Sequence, residues 1–209
     1  MSGSDALHTI TAIKQQVKRS DRCSIFVDDK YCCSFSKDAL LELGLRENQK
    51  LTAKELTSLK SKAEDAKWYD ACIGLIARRP RSVWEIETYL KRKGAEPIQI
   101  DETLQKLTDR KLLDDAAFAE AWVRSRRLIK STSTRKLQLE LRQKRVHDDI
   151  ISQVLREDPT EDKDVLWELA MRKHRQTRYQ DKTKLMQYLV RQGFNYGDVK
   201  EAVEEITSL

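Results

Sequence analysis

Arg124, Arg126, Arg127, Lys130, Arg135, Lys136, Arg142, Lys144 and Arg145 are nine cations within 22 residues, opposed there by one carboxylate, Glu140. Such a cluster suits phosphate. Each phosphate neutralised by Lys or Arg releases condensed counterions, so a polyanion is held without any base being read. Arginine adds a planar fork that meets phosphate oxygens in pairs. Two smaller clusters repeat the theme. Arg78, Arg79, Arg81, Lys91, Arg92 and Lys93 surround the apolar residues Val83, Ile86 and Leu90, and Arg172, Lys173, Arg175 and Arg178 precede Lys182, Lys184 and Arg191. The segments 78–93, 124–145 and 172–191 sum to +4, +8 and +6. One such cluster is ordinarily a solvated helix face, or a complement to the negative end of a helix dipole. Three in equivalent places favour a polyanion, with the largest excess in the middle one.

Other chemistries find little support. Cys23, Cys32, Cys33 and Cys72 form no CxxC pair, and His8, His147 and His174 lie far from them in sequence, so no metal site is expected and the thiols read as small apolar residues. No GxxxxGK, GxGxxG, HExxH or GxSxG pattern occurs, so neither an enzyme nor a cofactor is expected. Asp114 and Asp115 could serve a metal-dependent nuclease only if further carboxylates converged on them; helix capping is the simpler reading. Trp68, Trp84, Trp122 and Trp167 fall on expected helices and read as packing residues rather than base-stacking platforms.

The elements that must carry these clusters are mostly helices. Charged residues are 35% of the 209 and hydrophobic residues 39%, with 6 Gly and 3 Pro, a composition of long charge-rich helices. No long apolar run and no signal-like N-terminus is present, so a soluble cytoplasmic protein without a membrane segment is expected. Residues 1–51 differ in texture. CSIFV and YCCSF around Asp28 and Asp29 predict a hairpin, and Ile10 to Val17 a third strand. Thr52 and Glu55 have the spacing of a capping box and open a connecting helix, 52–66, that continues toward Pro80. Ser82 and Glu85 repeat that spacing, Gly94 closes the second helix, and Pro97, Ile100, Leu104 and Leu107 mark a third.

The three-helix unit recurs. LKRKGAEPIQIDETL at 90–104 aligns without a gap to LRQKRVHDDIISQVL at 141–155 and LVRQGFNYGDVKEAV at 189–203, at offsets of 51 and 48 residues. The expected architecture is therefore mainly α: three tandem three-helix, helix-turn-helix-like repeats (67–113, 114–158 and 159–209) in an elongated curved array, preceded by the small β-containing unit. Stacked repeats align equivalent faces, which would draw the clusters into one stripe.

LIARRPRSVWEIETYLKRKG at 75–94, followed by LTDRKLLDDAAFAEAWVRSRR at 107–127, resembles the RecX family of bacterial recombination regulators. The likeness spans roughly residues 65–207, and the N-terminal part resembles an extension that some members carry. It departs at Lys111 and Arg145, where members usually have glycine. The resemblance implies a non-catalytic, cofactor-free monomer that binds the RecA recombinase and its filament on single-stranded DNA along the groove. Most often this restrains ATPase, strand exchange and coprotease activity, with weak sequence-independent DNA binding. The basic residues named above would form the contact patch. A different class is an autonomous DNA-binding helix-turn-helix transcriptional regulator, which would need base-edge donors on a recognition helix and, usually, paired half-sites.

Overall fold

The computed structural model describes residues 7–208. The N-terminal hexapeptide, part of the segment read above as lacking a signal sequence, lies outside the described residues. Ten α-helices and four strands are present among the described residues, in two compact units. No described helix is long and apolar enough to cross a membrane.

The first unit comprises residues up to Arg78 together with Leu90–Asp109. Strands β1 (His8–Gln15), β2 (Arg22–Val27), β3 (Lys30–Ser36) and β4 (Lys50–Leu51) form an antiparallel sheet in the order β3-β2-β1-β4. Asp28 and Asp29 turn the hairpin with φ of 50° and 63°, the left-handed pair a tight two-residue turn demands. The strand expected over Ile10 to Val17 begins and ends two residues earlier. β4 is too short for any alternation to betray it. Ser36 caps α1 (Lys37–Glu42), and α2 (Ala53–Ile76) opens on a complete capping box: the Thr52 hydroxyl accepts from the Glu55 amide, and the Glu55 carboxylate accepts from the Thr52 amide. The sheet's inner face, with Ile10, Ile25 and Phe35, packs with Leu59 and Ala63 of α2. Buried Arg22 binds Asp70 of α2 and donates to the Ser34 carbonyl at 2.9 Å. Burial raises the Asp70 carboxyl above its usual range despite that guanidinium. On the same helix, Trp68 donates to Gln99 of α4 (Pro97–Asp109), whose amide donates to Asp65.

The second unit comprises Arg79–Tyr89, the larger part of α3 (Val83–Lys93), and residues 110 onward. It contains α5 (Asp115–Lys130), α6 (Thr134–Gln143), α7 (Asp148–Glu157), α8 (Asp162–His174), a short 3₁₀ turn over Thr177–Tyr179, α9 (Lys182–Arg191) and α10 (Tyr196–Ile206). The repeat alignment matches in burial. Ile86, Leu137 and Leu185 are fully buried, as are Leu90, Leu141 and Leu189, and so are Ile151 and Val199, with Ile100 nearly as deep. Helix three of the second repeat packs Ile151 and Val154 against Phe118, Ala119 and Val123, and the third repeat closes Val199 and Val203 over Leu166, Leu185 and Leu189.

The second helix of every repeat ends on a left-handed residue: Gly94 at φ 84°, Arg145 at 57° and Gly193 at 94°. Lys111 is likewise left-handed at 55°. Lys111 and Arg145 therefore hold, without being glycine, a backbone that glycine adopts freely, at a conformational cost of about 1–2 kcal/mol each.

Candidate nucleic-acid interface

The basic clusters separate into cations that build the fold and cations that face solvent. In the second unit the first group holds the joints between repeats. The Ser82 hydroxyl accepts from the Glu85 amide and donates at 3.0 Å to the carbonyl of Lys144, the residue that ends α6. One repeat later the Ser133 hydroxyl accepts from the Lys136 amide and donates at 2.7 Å to the carbonyl of Gln192, which ends α9. Both serines are fully buried. Each joint thus ties the start of one repeat's second helix to the end of the next repeat's second helix by the same bond.

Cations brace both joints. Glu85 lies against Arg79 at 2.8 Å and Lys144 at 2.7 Å, with Arg81 at 4.0 Å, and Lys136 donates to the Gln192 side chain at 2.5 Å. The capping contact expected from Glu85 back to the Ser82 amide is correspondingly long, 3.4 Å. Burial would raise the Glu85 carboxyl, but the bonds from Arg79 and Lys144 outweigh it and hold the group at about 2. A depressed carboxyl stabilises the fold fully above its unfolded value near 4.5, and that contribution is lost as pH falls toward 2. Arg79 is itself half exposed, so screening leaves about 1–2 kcal/mol. Glu85→Gln should therefore flatten the acid limb of a pH–stability profile measured by urea unfolding; an unchanged limb would count against this joint.

Around α5 the fold-building cations are deeper. Trp122 donates to Glu140 at 2.8 Å, Arg126 donates to the same carboxylate at 2.7 Å, and its guanidinium lies 4.3 Å from the Trp122 ring centre. Lys144 approaches that ring from 5.3 Å. Arg127 is enclosed, its side chain 7% exposed. It donates to Asp158 at 2.8 Å, the Thr132 carbonyl at 2.6 Å, Asp162 at 3.0 Å and the Thr134 hydroxyl at 2.8 Å. Asp162 in turn accepts from the Thr134 amide at the start of α6. Arg127 is thus the pin joining α5, α6 and α8, and not a surface available to phosphate.

The second group remains outside. Among the described residues, Arg124, Lys130, Arg135 and Arg145 are exposed without an ion pair. Arg142 is exposed while paired to Asp148 at 2.7 Å, and lies with Arg135 and Leu139 along one face of α6. In the third repeat Arg175 and Arg178 are exposed, the latter against Tyr179, while Arg172 donates to the Ser131 hydroxyl and Lys173 sits over Tyr179 and Tyr188. Lys182, Lys184 and Arg191 are exposed on α9. In the first unit Arg78, Lys91, Arg92 and Lys93 are exposed.

Asp114 and Asp115 are both committed to backbone amides. Asp114 caps α5 through Ala116 and Ala117, and Asp115 accepts from the Val83 amide at 2.9 Å, capping α3 across 32 positions of sequence. Burial raises the Asp115 carboxyl, against the pull of that amide. It pushes the Cys72 thiol up to about 12, and does the same to Cys33 with the help of neighbouring Cys32, which leaves little reactive thiolate. Trp84 is the one tryptophan at the surface; Trp68, Trp122 and Trp167 are half-buried in packing.

Four family models match the chain in order. One is described as the regulatory protein RecX N-terminal domain, over residues 8–52; the others are the first, second and third three-helix domains of RecX, over residues 69–107, 114–155 and 161–203. The chain is 30% identical over 202 residues to the protein named regulatory protein RecX of Bacillus subtilis, covering 94% of this chain and 76% of that one. It is 36% identical over 150 residues to the protein of the same name from Listeria welshimeri, covering 71% and 55%. A crystal structure of regulatory protein RecX superposes with a TM-score of 0.67 at 25% identity, over 95% of this chain and 99% of that one. The crystal structure of RecX from Lactobacillus salivarius, at 23% identity and a TM-score of 0.58 over 70% and 99%, agrees in fold. With the β unit and all three three-helix repeats matched in sequence order, the chain belongs to the RecX family.

Proposed function

We propose that this protein acts without catalytic chemistry of its own, binding the RecA recombinase and its filament on single-stranded DNA along the groove and restraining ATPase, strand exchange and coprotease activity. The observation that carries this reading is the set of cations the fold leaves unused. Once the joints have consumed Arg79, Arg126, Arg127, Lys136 and Lys144, repeat two still presents Lys130, Arg135 and Arg145 to solvent with no internal counter-charge. Such groups gain from a phosphate backbone through counterion release, and lose that gain in salt. Repeat three continues the supply with Arg175 and Arg178. Base-edge reading has less support, since of the two arginines that flank Leu139 on the exposed face of α6, Arg142 is already held by Asp148, and a reader of this class ordinarily pairs two half-sites. The test is the single-stranded-DNA-dependent ATPase rate of the recombinase from the same organism, with this protein added from sub-stoichiometric to equimolar amounts. A fall that weakens as salt rises is expected. An unchanged rate, with no co-sedimentation on filaments, overturns the proposal.

A further inference from the structure

The last two turns of α5 carry Leu128 and Ile129 at 81% and 71% exposure, beside free Arg124. Leu128 borders an open groove of about 500 Å³ between α5 and the end of α7, whose apolar lining is completed by Val123, Val154 and Pro159. Glu120, Val123, Arg124, Arg127 and Leu128 have the i, i+3, i+4, i+7, i+8 spacing of one helix face, so the groove runs along α5 itself. Its rim is mixed: Arg124 on one side, with Glu120 and Glu157, both exposed, also lining it.

That chemistry does not suit a nucleic acid. A phosphodiester chain approaching Arg124 would meet the carboxylates of Glu120 and Glu157, whereas a folded protein surface can set a cation against them and an aliphatic side chain against Leu128. We infer that the α5 groove is the protein-contacting part of the molecule: it receives an aliphatic side chain of a recombinase subunit, with a carboxylate facing Arg124 and a cation facing Glu120 and Glu157. Lys130, Arg135 and Arg145 are left to the DNA. Leu128 bares a large aliphatic side chain at the groove mouth and Ile129 exposes a second on the neighbouring face of α5, so the two form a patch, where a single exposed residue would need no explanation. The inference rests on the proposed filament-binding role and adds to it a division of labour between two surfaces.

The experiment compares wild type with Leu128→Ser/Ile129→Ser and, separately, Glu120→Lys/Glu157→Lys. Each is measured for co-sedimentation on recombinase filaments and for binding to bare single-stranded oligonucleotide. All four side chains are exposed, and a thermal melt verifies that folding is intact. The expected result is a filament affinity at least tenfold lower for both variants, with oligonucleotide binding by the serine variant within twofold of wild type. Filament affinity that rises in the lysine variant, or oligonucleotide binding that falls with filament binding in the serine variant, assigns the groove to nucleic acid and overturns the inference. Unchanged filament binding by the serine variant overturns it too, leaving the proposed function standing. A wild-type protein that fails to bind filaments overturns both.

Discussion

Arg127→Met should cost the protein about 3–5 kcal/mol of stability, the largest loss expected from any single arginine in the basic clusters. The side chain donates to two carboxylates, a carbonyl and a hydroxyl, and Asp158 beside it is only 8% exposed. Removing the guanidinium leaves that carboxylate buried without a counter-ion and frees Asp162, which also holds the first amide of α6. The breakage is expensive for this reason, whatever the net worth of the intact pair. Arg124→Met, three residues earlier and exposed without an ion pair, should change stability by less than about 0.5 kcal/mol. Urea unfolding of the two variants under the same conditions checks the contrast. Equal midpoints would mean that Arg127 does not pin the second repeat to α8.

Gly193→Ala should cost about 2–5 kcal/mol, from two separable causes. At φ 94° any Cβ strains the backbone, and here a Cβ would stand 2.6 Å from the Ser133 hydroxyl oxygen. That oxygen cannot retreat cheaply, because it is fully buried, donates to the Gln192 carbonyl and caps α6 through the Lys136 amide. If it moves, a buried carbonyl and a helix cap are lost together. Gly94→Ala isolates the first cause: its φ is 84°, but nothing lies within 4 Å of the added carbon. It should cost only the backbone strain, about 1–2 kcal/mol. A thermal-melt series in which the two alanine variants match would show that the serine–carbonyl joint contributes nothing measurable.

Much of this architecture is legible in the sequence, because the signals that specify it are local or periodic. The capping box at Thr52 and Glu55 needs four residues, and the repeat shows itself through apolar positions that recur at fixed offsets and are buried to equal depth. The hairpin turn is announced by two successive aspartates. β4 escapes because two residues carry no period. The function of the individual cations escapes for a different reason: charge can be counted along a chain, whereas ion pairs join residues far apart in it. Glu85 reaches Lys144 across 59 positions, and Asp162 reaches Arg127 across 35. A partial signal was nonetheless present. Ala119, Val123 and Arg127 stand four apart on the buried stripe of α5, and Phe118, Trp122 and Arg126 form the row beside it. An arginine continuing an apolar stripe is placed to be buried and must find partners, while Arg124, off that stripe, is not.

The division between joint-building and free cations decides which substitutions can probe function cleanly. Reversing Arg126 or Arg127 would mix loss of contact with loss of fold. Reversing Lys130, Arg135 and Arg145 touches no described ion pair. The most direct test is therefore the recombinase ATPase rate on single-stranded DNA, titrated with wild type and with Lys130→Glu/Arg135→Glu/Arg145→Glu, both verified as folded. The wild type should lower the rate, and the variant should need at least tenfold more protein for the same fall. Equal potency of a folded variant and wild type would contradict a filament contact built on the free cations of the second repeat.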